Sequence, residues 1–421
     1  MKKLLLPLCI LLLTISGCKK DKCEQMMSYW KYSPRFMKID DLVKQVKTGP
    51  ATPLRNVGKI YLSGHFIFVN EVKQGIHVID NSNPSAPQNV AFINIPGNID
   101  MAVKDNILYA DCYIALLSLN ISNPSNPTLV SSVNDALPPL YSTYADPSQG
   151  IVVGYDSTRV TEKTNIGCGG QGGYPYMLED KQTNGGVYTA NTTPTASVPS
   201  SPNVGGSMAR FAVNNNILYI VDQSTLRVFN ITNASAPIAS GSTQLGWNIE
   251  TIFPYNNHLF IGTSIGMQIF NLNNPLSPQH DATFSHALSC DPVAVSGDYA
   301  YVTLHSGTTC NSTLNQLQVV NISNTTNPTL VATYDMYSPR GVGIDGHTLF
   351  ICDGGQGLKV FDASDPSTVS SHALGTFSNI QSQDVIPFNK NLIMIGENGL
   401  YEYDYSDPQH ITSLGYIPVS K

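Results

Sequence analysis

Glu250, Asp291, Arg340 and Asp384 are the four charged residues most suggestive of chemistry: aligning successive repeats of the chain on their second strands places them at one equivalent position, just before an apolar run. Three carboxylates and one guanidinium circling an axis could hold a cation, a sugar or a basic peptide. Two of the carboxylates at the right separation would also supply the acid and base that glycosidic hydrolysis requires. The same four could equally form a solvated ring joined by internal salt bridges, and nothing in the residue types favours catalysis over that arrangement. Trp247, Tyr255 and the tyrosines Tyr174, Tyr176 and Tyr188 could offer stacking surfaces, although aromatics in β proteins mostly serve packing.

Other catalytic signals fail. The nine histidines are scattered, with no His-Glu-x-x-His and no pair at metal-binding spacing. There is no Gly-x-Ser-x-Gly elbow and no phosphate-cradling loop before a helix. Gly167–Gly173 is phosphate-like only in composition and reads as a loop. Acidic turn residues are of the type that binds calcium, but they recur at turns that need Asp or Asn anyway. No cofactor is identified.

The elements that position these residues are repeats. Ile76-His77-Val78-Ile79-Asp80 recurs as Leu116–Asn120, Leu226–Asn230, Met267–Asn271, Leu317–Asn321, Leu358–Asp362 and Leu400–Asp404. Each string is apolar and β-prone and closes on Asp or Asn. Asn-Pro or Asp-Pro usually follows, as at Asn83-Pro84 and Asp365-Pro366. Those side chains bond their own backbone two residues on and end the strand. Steps between the closing residues are 40, 110, 41, 50, 41 and 42. The long step leaves room for a degenerate repeat within 141–164, with Gly150–Tyr155 as a strand, and for an insertion at about 165–206. Four short strands per period, with no amphipathic helix, predict an all-β propeller of four-stranded blades. Seven clear repeats and one degenerate repeat give eight blades, with seven as the alternative.

Leu317–Asn321 (LQVVN) and Ile76–Asp80 (IHVID) carry the signature of the LVIVD-repeat family of bacterial β-propeller proteins, which this chain resembles from about Arg55 to its C-terminus. The resemblance implies a fold and an envelope location. It implies no activity and no catalytic residues.

The N-terminus assigns the compartment. Lys2 and Lys3, an apolar core from Leu4 to Ile15, and Ser16-Gly17-Cys18 read as a secretory leader. Ile15–Cys18 resembles a bacterial lipobox, so Cys18 is expected to carry acyl chains, residues 1–17 to be removed, and residues 18–54 to form a tether before the propeller at 55–421. The expected location is the cell envelope, lipid-anchored, at the outer membrane, on its periplasmic or surface side. An exported chain meets oxidising conditions, and Cys290 and Cys310 flank one hairpin, so a Cys290–Cys310 disulfide is expected.

Only 13% of residues are charged and the net charge is −7. A mildly acidic chain without a basic run is a poor partner for nucleic acid, whose affinity comes mainly from phosphate neutralisation. The expected role is a membrane-anchored binding or interaction module for a protein or glycan. The alternatives are a propeller hydrolase or lyase acting on glycans and a structural assembly lipoprotein.

Overall fold

A computed structural model describes residues 24–138, 145–146, 148–165, 203–206, 208–246, 248–286, 292–306 and 314–420. The chain divides into two compact units, residues 1–36 with 152–186 and residues 37–151 with 187–421.

The larger unit is a β-propeller of seven antiparallel four-stranded blades. Their first and last strands are Val57–Ser63 to Gln88–Asn94 (blade 1), Met101–Lys104 to Thr128–Val133 (blade 2), and Phe211–Asn214 to Ile238–Gln244 (blade 3). Blade 4 runs from Ile249–Tyr255 to Gln279–Ser285, and blade 5 from Val293–Ser296 to Thr329–Asp335. Blade 6 runs from Val342–Asp345 to Ala373–Phe377, and blade 7 from Asp384–Phe388 to Thr412–Pro418. First strands of successive blades neighbour one another and are therefore innermost.

The recurring string is the third strand of each blade. Sandwiched between neighbouring blades, it is buried on both faces, which is why it is nearly continuously apolar. Ile76, Val78 and Ile79 are wholly buried, as are Leu317, Val319 and Val320. Its closing residue caps the following turn in every blade. Asp80 Oδ1 accepts the Ser82 N–H at 2.9 Å, and Asn120, Asn230, Asn321, Asp362 and Asp404 do the same two residues on at 2.7–2.9 Å. The equivalent bond from Asn273 N–H to Asn271 is longer, 3.3 Å. These turns account for the acidic residues without a metal. Among the described residues no group of three or more His, Cys, Asp or Glu is placed to hold one.

The turn joining the first two strands fixes their register. Its first residue has positive φ in every blade: Gly64, Asp105, Asn215, Asn256, Gly297, Gly346 and Asn389. Such tight hairpin turns favour Gly, Asn and Asp at this position, because other side chains strain there.

The degenerate repeat is not a blade, and the count is seven. Gly150–Asn165 pairs instead with Glu24–Met37, and Ala145–Asp146 adds a short third strand. Beyond Gly154 its sequence (YDSTRVTEKTN) is predominantly polar and lacks the apolar run that a blade strand, buried on two faces, requires. Nor is 18–54 all tether. Glu24–Met37 is a strand, Ile39–Val43 a short helix, and Lys47–Gly49 joins the outer edge of blade 1 through Asn94. Leu54, fully buried, bridges Val419 beside blade 7. Leu54, Ile60, Leu62, Ile386, Ile393 and Leu400 share one core cluster that closes the ring between blades 7 and 1. Of the insertion, 166–202 lie outside the described residues, while Asn203–Gly205 pairs along the inner edge of blade 1, Val204 opposite Leu62. Among the described residues no helix is long and apolar enough to cross a membrane.

Candidate functional site

The two ends of the innermost strands differ in chemistry. At the starting end, the expected quartet does not share one position. Counting back along each strand pair, Glu250 and Arg340 stand six residues before the turn residue and Asp384 five. A one-residue offset on a strand turns a side chain to the opposite face. Asp384 is accordingly fully buried, whereas Glu250 and Arg340 are half-buried. Asp291, and with it Trp247 and the three tyrosines of the insertion, lies outside the described residues. Tyr255 serves packing: it stacks on Phe253, and its hydroxyl accepts the Gly297 N–H at 2.9 Å.

The true equivalents of Asp384, five residues before the turn residue, are Lys59, Asp100 and Arg210 in blades 1, 2 and 3. Lys59 Nζ donates to Asp100 Oδ2 at 2.8 Å, with both side chains buried. The Arg210 backbone N–H donates to the same oxygen. Asp100 Oδ1 accepts the Met101 N–H at 2.7 Å, and Asp384 Oδ1 accepts that of Val385 at the same distance. Burial pulls the Lys59 ammonium below its ordinary range and Arg210 adds to this, while Asp100 opposes both.

Beneath this row lies a second buried acid. Asp111 Oδ1 accepts the Asn98 side-chain amide at 2.8 Å and the N–H groups of Ile99 and Asp100 at 2.9 and 2.8 Å. Burial pushes its carboxyl up to about 7, against those bonds. Asn98 Oδ1 in turn accepts from Asn70 Nδ2 at 2.7 Å. The end is covered by the segment that follows the insertion. A methyl added at Gly206 would collide with Asp384 Oδ2 and with Ile60.

The other acids at this end are clamps. Glu71 accepts the N–H groups of Arg55 and Asn56 at 3.0 and 2.5 Å and pairs with His77 Nε2 at 3.0 Å. Burial alone would raise its carboxyl, but the His77 and backbone hydrogen bonds outweigh that and hold it below its usual range. Asp353 holds the N–H groups of Tyr337 and Ser338 and pairs with Lys359 at 2.5 Å. Asp222 pairs with Arg227 at 3.0 Å. In each case the partner, His77, Lys359 or Arg227, is the second residue of the repeated string. Lys59 with Asp100, Glu71 with His77, Asp353 with Lys359 and Asp222 with Arg227 thus tie strands and loops together at this end, an arrangement suited to rigidity.

At the turn end lies a groove of about 820 Å³ between blades 1 and 2, reaching the blade 3 turn. Tyr61, Phe66 and Phe68 form its aromatic floor, and His65, Asn106 and Asn215 are among its polar rim. The His65 and Phe66 rings lie 4.3 Å apart. Lys104 Nζ pairs with Asp105 Oδ2 at 2.9 Å, so the rim carries little net charge. This groove has no motif in the sequence. Its only signal is the clustering of turn residues around the first hairpins.

Cys290 and Cys310 lie outside the described residues. Cys112 and Cys352 are free and buried, and the Ser382 hydroxyl donates to Cys352 Sγ at 3.0 Å.

A model of the LVIVD repeat matches residues 55–93, 100–135, 205–244, 289–336 and 339–371. No curated protein matches the chain. Among solved structures, a Lactobacillus plantarum protein is 11% identical with a TM-score of 0.54, covering 86% of this chain and 97% of its own. The periplasmic gluconolactonase of Pseudomonas aeruginosa is 12% identical with a TM-score of 0.54, covering 86% and 96%. At that identity the likeness is one of fold.

Proposed function

We propose, from the premise that this chain belongs to the LVIVD-repeat family of β-propeller proteins, that it is a lipid-anchored envelope protein working as a binding module without chemistry of its own. The anchor is Cys18, placed behind a leader whose apolar core is too short to span a bilayer. The observation that carries the binding reading is the contrast between the two channel ends. At the starting end Lys59, Asp100, Glu71, Asp353 and Asp222 are each held by a neighbouring side chain; at the turn end a polar, nearly neutral groove with an aromatic floor lies open.

Ligand sites combine apolar contact with a few convergent polar groups. Phe66 and His65 supply ring faces, and Asn106, Asn215 and Ser122 supply amide and hydroxyl partners with no net charge to satisfy. That set suits a neutral, hydroxyl-rich ligand, and a glycan is the class we assign. The test is a thermal-shift screen of Glu24–Lys421 against chito- and cello-oligosaccharides, peptides, calcium and EDTA. Ligand at a hundred times its dissociation constant stabilises by about 2.7 kcal/mol. A glycan response lost in Phe66→Ala and Asn106→Ala supports the reading. A response confined to peptides, or one unchanged by both substitutions, defeats it.

A further inference from the structure

The strands Glu24–Met37 and Gly150–Asn165 form a ribbon that has no core of its own. None of residues 25–37 or 153–164 is buried. Two-stranded ribbons are marginal in water unless something covers one face. Here the cross-strand bonds are polar and exposed: Ser28 Oγ with Thr161 Oγ1 at 2.7 Å, Tyr29 OH to Glu162 at 3.1 Å, and Arg35 with Asp156 at 3.3 Å. Because side chains alternate along a strand, Met26, Trp30 and Tyr32 share one face, and each is nearly 60% exposed. A row of exposed Met, Trp and Tyr is an apolar face awaiting a cover.

The geometry points to the bilayer interface as that cover. This inference rests on the lipid anchor at Cys18. Glu24 stands only six residues on from Cys18, and six extended residues reach about 20 Å. The ribbon must therefore begin close to the headgroups in which the acyl chains are embedded. Trp and Tyr, with apolar rings and one polar atom, are the side chains that settle at that depth. Lys19, Lys20, Lys22 and Lys31 lie on the same stretch and suit a surface bearing phosphates. The Met26–Trp30–Tyr32 face lies in the membrane interface and adds a second attachment beside the lipid.

The chain has two tryptophans, Trp30 and Trp247, so W247F leaves Trp30 as the sole reporter. The full lipidated chain is reconstituted into phosphatidylcholine vesicles, with and without phosphatidylglycerol, and separated by flotation. Bromine-labelled lipids and aqueous iodide then probe Trp30. The expected result is a blue-shifted Trp30 emission, quenched severalfold more by shallow bromolipid than by iodide. Wild type measured against W30F isolates the same signal if W247F fails to fold. Flotation with Trp30 open to iodide overturns the inference while leaving the anchor intact. Protection from both quenchers also overturns it, because a second copy or another protein would then cover the face. Failure to float overturns the anchor and the inference together.

Discussion

Replacing Glu402 with Gln should flatten the dependence of stability on pH between 5 and 8. Glu402 stands in the third strand of blade 7, where other strings place Val78, Val228, Ile269, Val319 and Val360. It is fully buried, and Asn391 Nδ2 donates to its Oε2 at 2.5 Å. Burial pushes its carboxyl up to about 8 from an ordinary 4.5, with hydrogen bonds from Asn391 and Asn81 opposing the shift. The folded state thus keeps a proton that the unfolded chain has released. Below the unfolded value both states are protonated and nothing is lost. Between it and about 8, stability falls by about 1.4 kcal/mol per pH unit, and above about 8 the loss is complete. The full difference is at most on the order of 5 kcal/mol. Glutamine keeps the shape and hydrogen-bonding capacity without the proton equilibrium. Urea denaturation of both proteins at pH 5, 6, 7 and 8 reads the effect as the difference between midpoints. That difference should grow with pH by the equivalent of 2 kcal/mol or more. A difference that stays constant across the series would refute the buried-acid argument, whatever its absolute size.

Three further outcomes are expected. Lys59→Met should lower stability by about 3–5 kcal/mol, since it leaves the Asp100 carboxylate buried without its cation; adding Asp100→Asn should restore part of the loss in the same denaturation assay. Gly206→Ala should lower the melting temperature by several degrees, because the new methyl meets Asp384 and Ile60, whereas Gly246→Ala tests positive φ alone, having nothing within 4 Å. Cys112, fully buried and with its thiol pushed up to about 12 by burial, should resist alkylation at pH 8 in the native protein and react once unfolded, as read by peptide mass mapping.

Much of the propeller was legible in the sequence because one strand per blade is buried on both faces and ends on a residue that must cap a turn. Ile76–Asp80 and its six counterparts meet both demands, so string and turn repeat together. The blade count was harder. Gly150–Tyr155 looks like a blade strand over six residues, and only the polar continuation to Asn165, together with a distant partner at Glu24–Met37, excludes it. The charged row differs from the sequence alignment by one residue, because Asp384 stands five rather than six residues before its turn residue, unlike Glu250 and Arg340. Counting back five from Gly64, Asp105 and Asn215 would have found Lys59, Asp100 and Arg210, a signal carried entirely by turn chemistry. Asp111 and the groove offer no such count. One depends on burial depth and the other on how neighbouring blades diverge, and both arise only when blades pack.

The central claim, that the turn end of the propeller is the binding face, is tested most directly by hydrogen exchange on Glu24–Lys421 with and without chito-oligosaccharide or cello-oligosaccharide. The account predicts new protection at Ser63–Phe66, Lys104–Asn106 and Asn215, with the amides around Asp100 and Asp384 unchanged. Protection at the Asp100–Asp384 end instead, or none at any saccharide concentration, would contradict it.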